Sequence, residues 1–246
     1  ENYLNKFPIS LSKEIFENTD IKKFKINKFE IKNLNFKNIN DKEIFKDCFF
    51  KFNENDKILI RGPSGSGKTT LLDIFSGINN EYQGNIYLND ELISKKEISK
   101  ILKNAVGYVS QPSYLMPGTI KENITLTFDD KLIDKDKLDI ALQKSGLDKQ
   151  LSKFSNGIET YLTSPMQNIS EGQKQRIFIS RCIYYDRNII LFDEATSGLD
   201  NESEKMIFKT LLNQNGLTII VVSHNIDRLP EFNYAYKIQN KEILSE

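Results

Sequence analysis

The run Gly62-Pro63-Ser64-Gly65-Ser66-Gly67-Lys68-Thr69 fills every fixed position of the pattern G-x-x-x-x-G-K-[ST]. That spacing suits the wrapping of a polyphosphate. Glycines let successive backbone N–H groups point inward as a nest, and a helix that follows adds its positive N-terminal end. The flanks fit: the apolar run Ile58-Leu59-Ile60 leads in, and a helical stretch from Thr69 to Phe75 leads out. Lys68 is expected on the β- and γ-phosphates, the Thr69 hydroxyl on Mg²⁺, and Thr70 among the other nucleotide-binding residues. The plain alternative is a glycine-rich turn with a lysine nearby, which the flanking strand and helix disfavour. The pattern predicts a nucleoside triphosphate site.

A second constellation lies downstream. The run Ile189-Ile190-Leu191-Phe192 reads as a buried strand that delivers Asp193 and Glu194 at its C-terminal end. Ligands sit at that edge in open α/β sheets. One of these carboxylates is expected to hold Mg²⁺ through its water shell, and the other to orient an attacking water. His224, the single histidine, follows the run from Thr218 to Val222, and Gln111 ends the run through Val109. Each alone reads as an ordinary hydrogen-bonding residue. Both gain weight because each terminates a strand of one presumed sheet.

The elements that must position these groups alternate. Phe29 and Ile31, then Leu34 and Phe36, recur with period two, as do Cys48, Phe50 and Phe52 across a turn at Asn40-Asp41. Gly77 reads as a helix cap, and Gly84-Asn85 and Asn89-Asp90 bracket a short strand, Ile86-Tyr87-Leu88. Val106 to Val109 is a further strand. About Pro112 to Asn168 is mostly helical, with an amphipathic stretch from Lys135 to Lys144 capped by Gly146. Helices over Glu171–Tyr184 and Glu202–Leu212 alternate with strands over Asn188–Phe192 and Leu217–Val222, which predicts a buried, largely parallel sheet. Residues 1–28 are polar and lysine-dotted, and the chain begins at Glu1 rather than Met, which suits an excised piece.

Composition excludes several classes. Lys+Arg and Asp+Glu number 34 each in 246 residues, so no basic field points to nucleic acid. Cys48 and Cys182 lie far apart, which argues against a disulfide scaffold or a zinc site. No apolar stretch approaches the ~20 residues that span a bilayer.

Ser170-Glu171-Gly172-Gln173-Lys174-Gln175-Arg176 resembles the signature motif of ABC ATPases. The P-loop, Gln111, Asp193-Glu194, the loop Ser197-Gly198-Leu199-Asp200 and His224 stand in that family's order, over about residues 29–246. Met116-Pro117-Gly118-Thr119-Ile120-Lys121-Glu122-Asn123-Ile124 resembles the exporter branch. The resemblance implies an α/β fold: a P-loop NTPase core with a mostly parallel sheet, an antiparallel β-subdomain, and a helical lobe at about 112–172 that bears the signature. It implies a linker at 1–28 from a missing transmembrane domain, with the chain tethered on the cytoplasmic side of the inner membrane. It implies ATP hydrolysis with Mg²⁺ in a head-to-tail dimer with a second ABC ATPase domain, identical or not. ATP then lies between one P-loop and the other copy's Ser170, Glu171, Gly172 and Gln173, with Asp200 in the loop between the two sites. Lys68, Thr69, Gln111 and Asp193 map onto phosphate and Mg²⁺ positions, Glu194 onto the general base and His224 onto the γ-phosphate brace. Departures from the family pattern are Glu171 for glycine, Ile169 for leucine, Asn38 for the adenine-stacking aromatic, and Thr163-Ser164-Pro165-Met166 for a Gly-Glu-x-Gly element. A glutamate beside a γ-phosphate is expected to point into solvent or to meet a cation of the partner chain. The alternatives are an ATP-gated dimerisation module with weak hydrolysis and a soluble ABC ATPase.

Overall fold

Alternating apolar residues build the first sheet, with β1 (Lys28–Lys37) antiparallel to β2 (Glu43–Asn53) and Phe29 opposite Phe52. Phe29, Ile31, Leu34 and Phe36 all turn inward although their parity changes midway. The register shift at Asn33, whose φ is 53°, restores the inner face. The computed structural model describes residues 24–110, 115–163, 169–194, 201–223 and 232–245. Ile26, 1% exposed, already packs in the core, and its carbonyl accepts from Asn188 Nδ2, so the packed chain begins before Phe29. Strands β4 (Gln83–Leu88) and β5 (Glu91–Ile93) complete the order β2-β1-β4-β5. Gly84 and Asn85 lie inside β4 rather than bracketing it, which corrects the expectation. A Cβ at Gly84 would stand 2.9 Å from the carbonyl oxygens of Lys32 and Asn33, so the glycine marks a close approach of strands, not a turn.

The second sheet has the order β12-β11-β3-β10-β9-β6. Its members are β3 (Lys57–Arg61), β6 (Val106–Ser110), β9 (Ile189–Asp193), β10 (Thr218–Val222), β11 (Tyr234–Gln239) and β12 (Glu242–Ser245). All pairings are parallel except β11 with β12. Each central strand is buried on both faces. Ile58, Ile60, Leu191 and Val222 face one cluster, while Leu59, Ile190, Phe192 and Val221 face another.

Helix α1 (Lys68–Phe75) packs in the first cluster with the antiparallel sheet, where Phe50 and Phe75 bring their ring centroids to 4.7 Å. It ends as expected at Gly77, whose N–H donates to the Ile74 carbonyl while that of Ile78 donates to Asp73. Helix α2 (Lys95–Ala105) packs on the same cluster. The helical stretch is more broken than expected: α3 (Ile120–Thr125), α4 (Lys135–Ser145), three 3-10 turns and a two-residue bridge of β7 (Gly118–Thr119) with β8 (Tyr161–Leu162). These surround a third apolar cluster.

Helix α5 (Glu171–Tyr184) has two apolar faces: Ile177 and Tyr184 enter the third cluster, Ile179 and Cys182 the second, which α6 (Asn201–Leu212) also fills. Buried and part-buried polar bonds fasten it. Arg176 Nη1 donates to the Ser145 carbonyl at 2.7 Å, Arg181 Nε to the Asn123 carbonyl at 2.7 Å, and the Tyr185 hydroxyl to the Thr125 carbonyl. Cys48 and Cys182 are buried free thiols. Among the described residues no helix is long and apolar enough to cross a membrane.

Candidate nucleotide site

Strand β3 delivers the chain to Gly62, and α1 leaves from Gly67 as its N-cap. Gly67 has φ 105°, and a Cβ there would stand 2.5 Å from Ile44 Cγ2 and 2.9 Å from the Phe45 ring. Only glycine fits that turn. The helix start carries no side-chain cap bond and no acid in its first turn, so its positive end stays open to an anion. Lys68 is 5% exposed, and its ammonium arches back to donate to the carbonyls of Gly62 and Pro63, both at 3.0 Å. An ammonium has a third donor to give. Burial lowers the Lys68 pKa against the opposing pull of Glu194 and Asp193.

A cavity of about 250 Å³ opens over this loop, lined by Ser64, Gly65, Gly67, Lys68, Thr69 and Thr70 with Asn38, Ile44 and Glu194. A larger crevice of about 540 Å³ runs beside it past Pro63 and Ser66, bounded by Lys42, Lys237 and Lys241. The smaller one holds the converging chemistry. Glu194 follows β9 with φ 50°, and its N–H donates to the Val222 carbonyl at 3.1 Å, beyond the pairing of Asp193 with Val222. That left-handed residue turns the chain off the sheet edge at the cavity. Asn38 Oδ1 is committed to the N–H groups of Asn40 and Lys42 at 3.1 and 3.0 Å. Among the described residues no aromatic ring lines the cavity.

The oxygens of Thr69 and Asp193 are hard donors, and Thr69 is exposed at the cavity, so the residues present fit Mg²⁺ bound with a triphosphate. Asp193 is not bare: the Tyr108 hydroxyl donates to its Oδ2 at 3.0 Å, and Asp73 of α1 also bonds the phenol. Burial, then the charges of Asp193 and Asp73, push the Tyr108 pKa up, and burial raises that of Asp73. Sequence reasoning missed Tyr108, Asp73 and Ile44. Strand parity was the signal for Tyr108, since Val106, Tyr108 and Ser110 share one face of β6.

Ser170, Glu171, Gly172 and Gln173 do not join this cavity within the chain. They open α5. Ser170 is its N-cap and forms a capping box with Gln173: Gln173 N–H donates to Ser170 Oγ at 3.3 Å, and Ser170 N–H to Gln173 Oε1 at 3.0 Å. Glu171 pairs with Lys174 of the same helix at 3.1 Å. It therefore meets a cation of its own chain, with its side chain 25% exposed. Glu171→Gly is expected to change the ATPase rate less than about twofold and to destabilise the fold by about 0.5–1 kcal/mol, glycine's cost in a helix. Phosphate release and thermal melting check both; a several-fold faster enzyme would show that the carboxylate burdens the site. Gln111, Asp200, His224 and residues 164–166 lie outside the described residues.

The family model described as "ABC transporter" matches residues 45–197, more than half of the chain. The mitochondrial ATP-dependent permease MDL1 of Saccharomyces cerevisiae is 32% identical over 190 residues, 76% of this chain and 27% of that protein. A multidrug resistance ABC transporter ATP-binding and permease protein of Lactococcus lactis is 30% identical over 205 residues, 82% of this chain and 34% of its own length. The chain thus spans about a third or less of the length of these relatives. A bacterial Atm1-family ABC exporter solved with ATP bound shares the fold, with a TM-score of 0.75 at 24% identity over 89% of this chain and 38% of that one. The chain belongs to the ABC transporter family.

Proposed function

We propose that this chain binds ATP with Mg²⁺ and hydrolyses it to ADP and phosphate, powering export through a transmembrane partner. The observation that carries the reading is the convergence of Lys68 and Glu194 on one cavity over an uncapped helix start. Lys68 and the loop N–H groups hold the β- and γ-phosphates, and Glu194 takes a proton from the water that attacks the γ-phosphorus as the bond to ADP breaks. Bound Mg²⁺ would spread positive charge across the same phosphates, held by Thr69 and Asp193. On sequence grounds Gln111 and His224 complete the phosphate site, and Asp200 links it to a second one.

The site closes in a head-to-tail dimer, in which Ser170 to Gln173 of one copy cover the ATP of the other. That those residues are not among the lining of their own cavity supports this arrangement. The unit works at the cytoplasmic face of a membrane, joined to membrane helices through the segment ahead of Ile26, with the ATPase domain running from about Ile26 onward and about 112–172 as its lobe. Steady-state phosphate release at rising protein concentration tests the reading. The rate per chain should climb with concentration, because two chains build each site. A rate per chain that stays constant would sink the composite site. Nucleotide binding without phosphate release would favour the ATP-gated module.

A further inference from the structure

We propose that Tyr108 is a positioning residue of the nucleotide site, its phenol holding the Asp193 carboxylate in the orientation that meets Mg²⁺ beside the P-loop. This rests on the ATP-binding reading above. Strands β6 and β9 run parallel with Tyr108 opposite Leu191 and Ser110 opposite Asp193. Tyr108 and Asp193 are therefore diagonal neighbours on one face of the sheet, within reach of a long side chain. Helix α1 covers that same face, as Leu191 and Leu71 share one cluster with the Tyr108 ring against it. The ring is held by packing, so its hydroxyl is delivered to a fixed point. There it donates to Asp193 Oδ2 at 3.0 Å.

A phenylalanine would fill the ring's place equally well. The hydroxyl is what the packing does not require, and it lies between two carboxylates, those of Asp193 and Asp73. A phenol has one proton, so it can donate to only one of them at a time. The bond to Asp193 restrains a side chain at the last position of its strand, beyond which the backbone leaves the regular strand conformation at Glu194. Groups that orient a metal-binding carboxylate typically change metal affinity or activity 10- to 100-fold when removed. Asp73, one residue further out, touches the phenol and is not needed to aim Asp193.

The test is calorimetric titration of ATP at graded Mg²⁺ and in EDTA, for the wild-type chain, Tyr108→Phe and Asp73→Asn. Tyr108→Phe should need about tenfold more Mg²⁺ for half-maximal enhancement of ATP binding, with affinity in EDTA and thermal melting close to wild type. Asp73→Asn should keep the Mg²⁺ requirement within about threefold. A purely structural tyrosine would lower ATP affinity equally with and without Mg²⁺, and that result would overturn the proposal. So would an unchanged Mg²⁺ requirement in Tyr108→Phe, or an equal shift in both variants, which would point to local charge and not to orientation. A wild-type chain that binds no ATP under either condition would instead remove the nucleotide reading, and this inference with it.

Discussion

Lys68→Ala is expected to abolish tight binding of MgATP, measured by calorimetry. The side chain is buried and spans the loop, tied to the carbonyls of Gly62 and Pro63. Truncation removes that clasp and the point charge together. One unit charge at ~4 Å is worth about 4 kcal/mol at an effective dielectric of 20, or nearly a thousandfold in affinity. Burial already lowers the lysine's pKa, so the empty site holds the ammonium at a disadvantage that a bound polyphosphate offsets. The fold should survive, because α1 packs through Leu71, Leu72, Ile74 and Phe75 and not through Lys68. Unaltered affinity would end the phosphate-site assignment.

Glu194→Gln is expected to separate binding from chemistry. Glutamine keeps the size and shape of a side chain held at φ 50° on the cavity wall, and loses only the proton acceptor. Loss of a general base typically costs 10²–10⁴-fold in rate, so phosphate release should fall by about that factor while ATP affinity holds. A dimer that forms on ATP and parts on hydrolysis should then accumulate, visible as a doubled mass in size-exclusion chromatography with light scattering. Wild-type turnover in this variant would show that another group takes the proton.

The legibility of these parts in the sequence follows from how strongly each is over-determined. The P-loop residues are dictated jointly by backbone shape and ligand charge, so their pattern reads directly, and the central strands announce themselves by apolar runs. The edge elements escaped because little constrains them. β5 has three residues, too few for a period, and the β11–β12 turn uses Asn240 and Lys241 at φ 52° and 69° without a glycine. Gly84 misled because glycine serves turns and close strand contacts alike. Tyr108 was legible only as one more strand aromatic; its meaning depends on Asp193, 85 residues away. In the signature run Ser170 and Gln173 also form a capping box, residues that a helix start selects whatever else they touch.

Helix α5 behaves as a stiff strut. Its far end is bolted to the carbonyls of Asn123 and Thr125, so a load arriving at α3 would pass to Arg181 and Tyr185. Its near end carries Ser170. Fourteen residues give a lever about 21 Å long. A tilt of about 5° at the bolted end therefore sweeps Ser170 through about 2 Å, using the helical rise alone as the gauge. That stroke separates a made hydrogen bond from a broken one. Leverage, and not any property of the serine itself, would then decide how sharply a small push at α3 is felt at the tip.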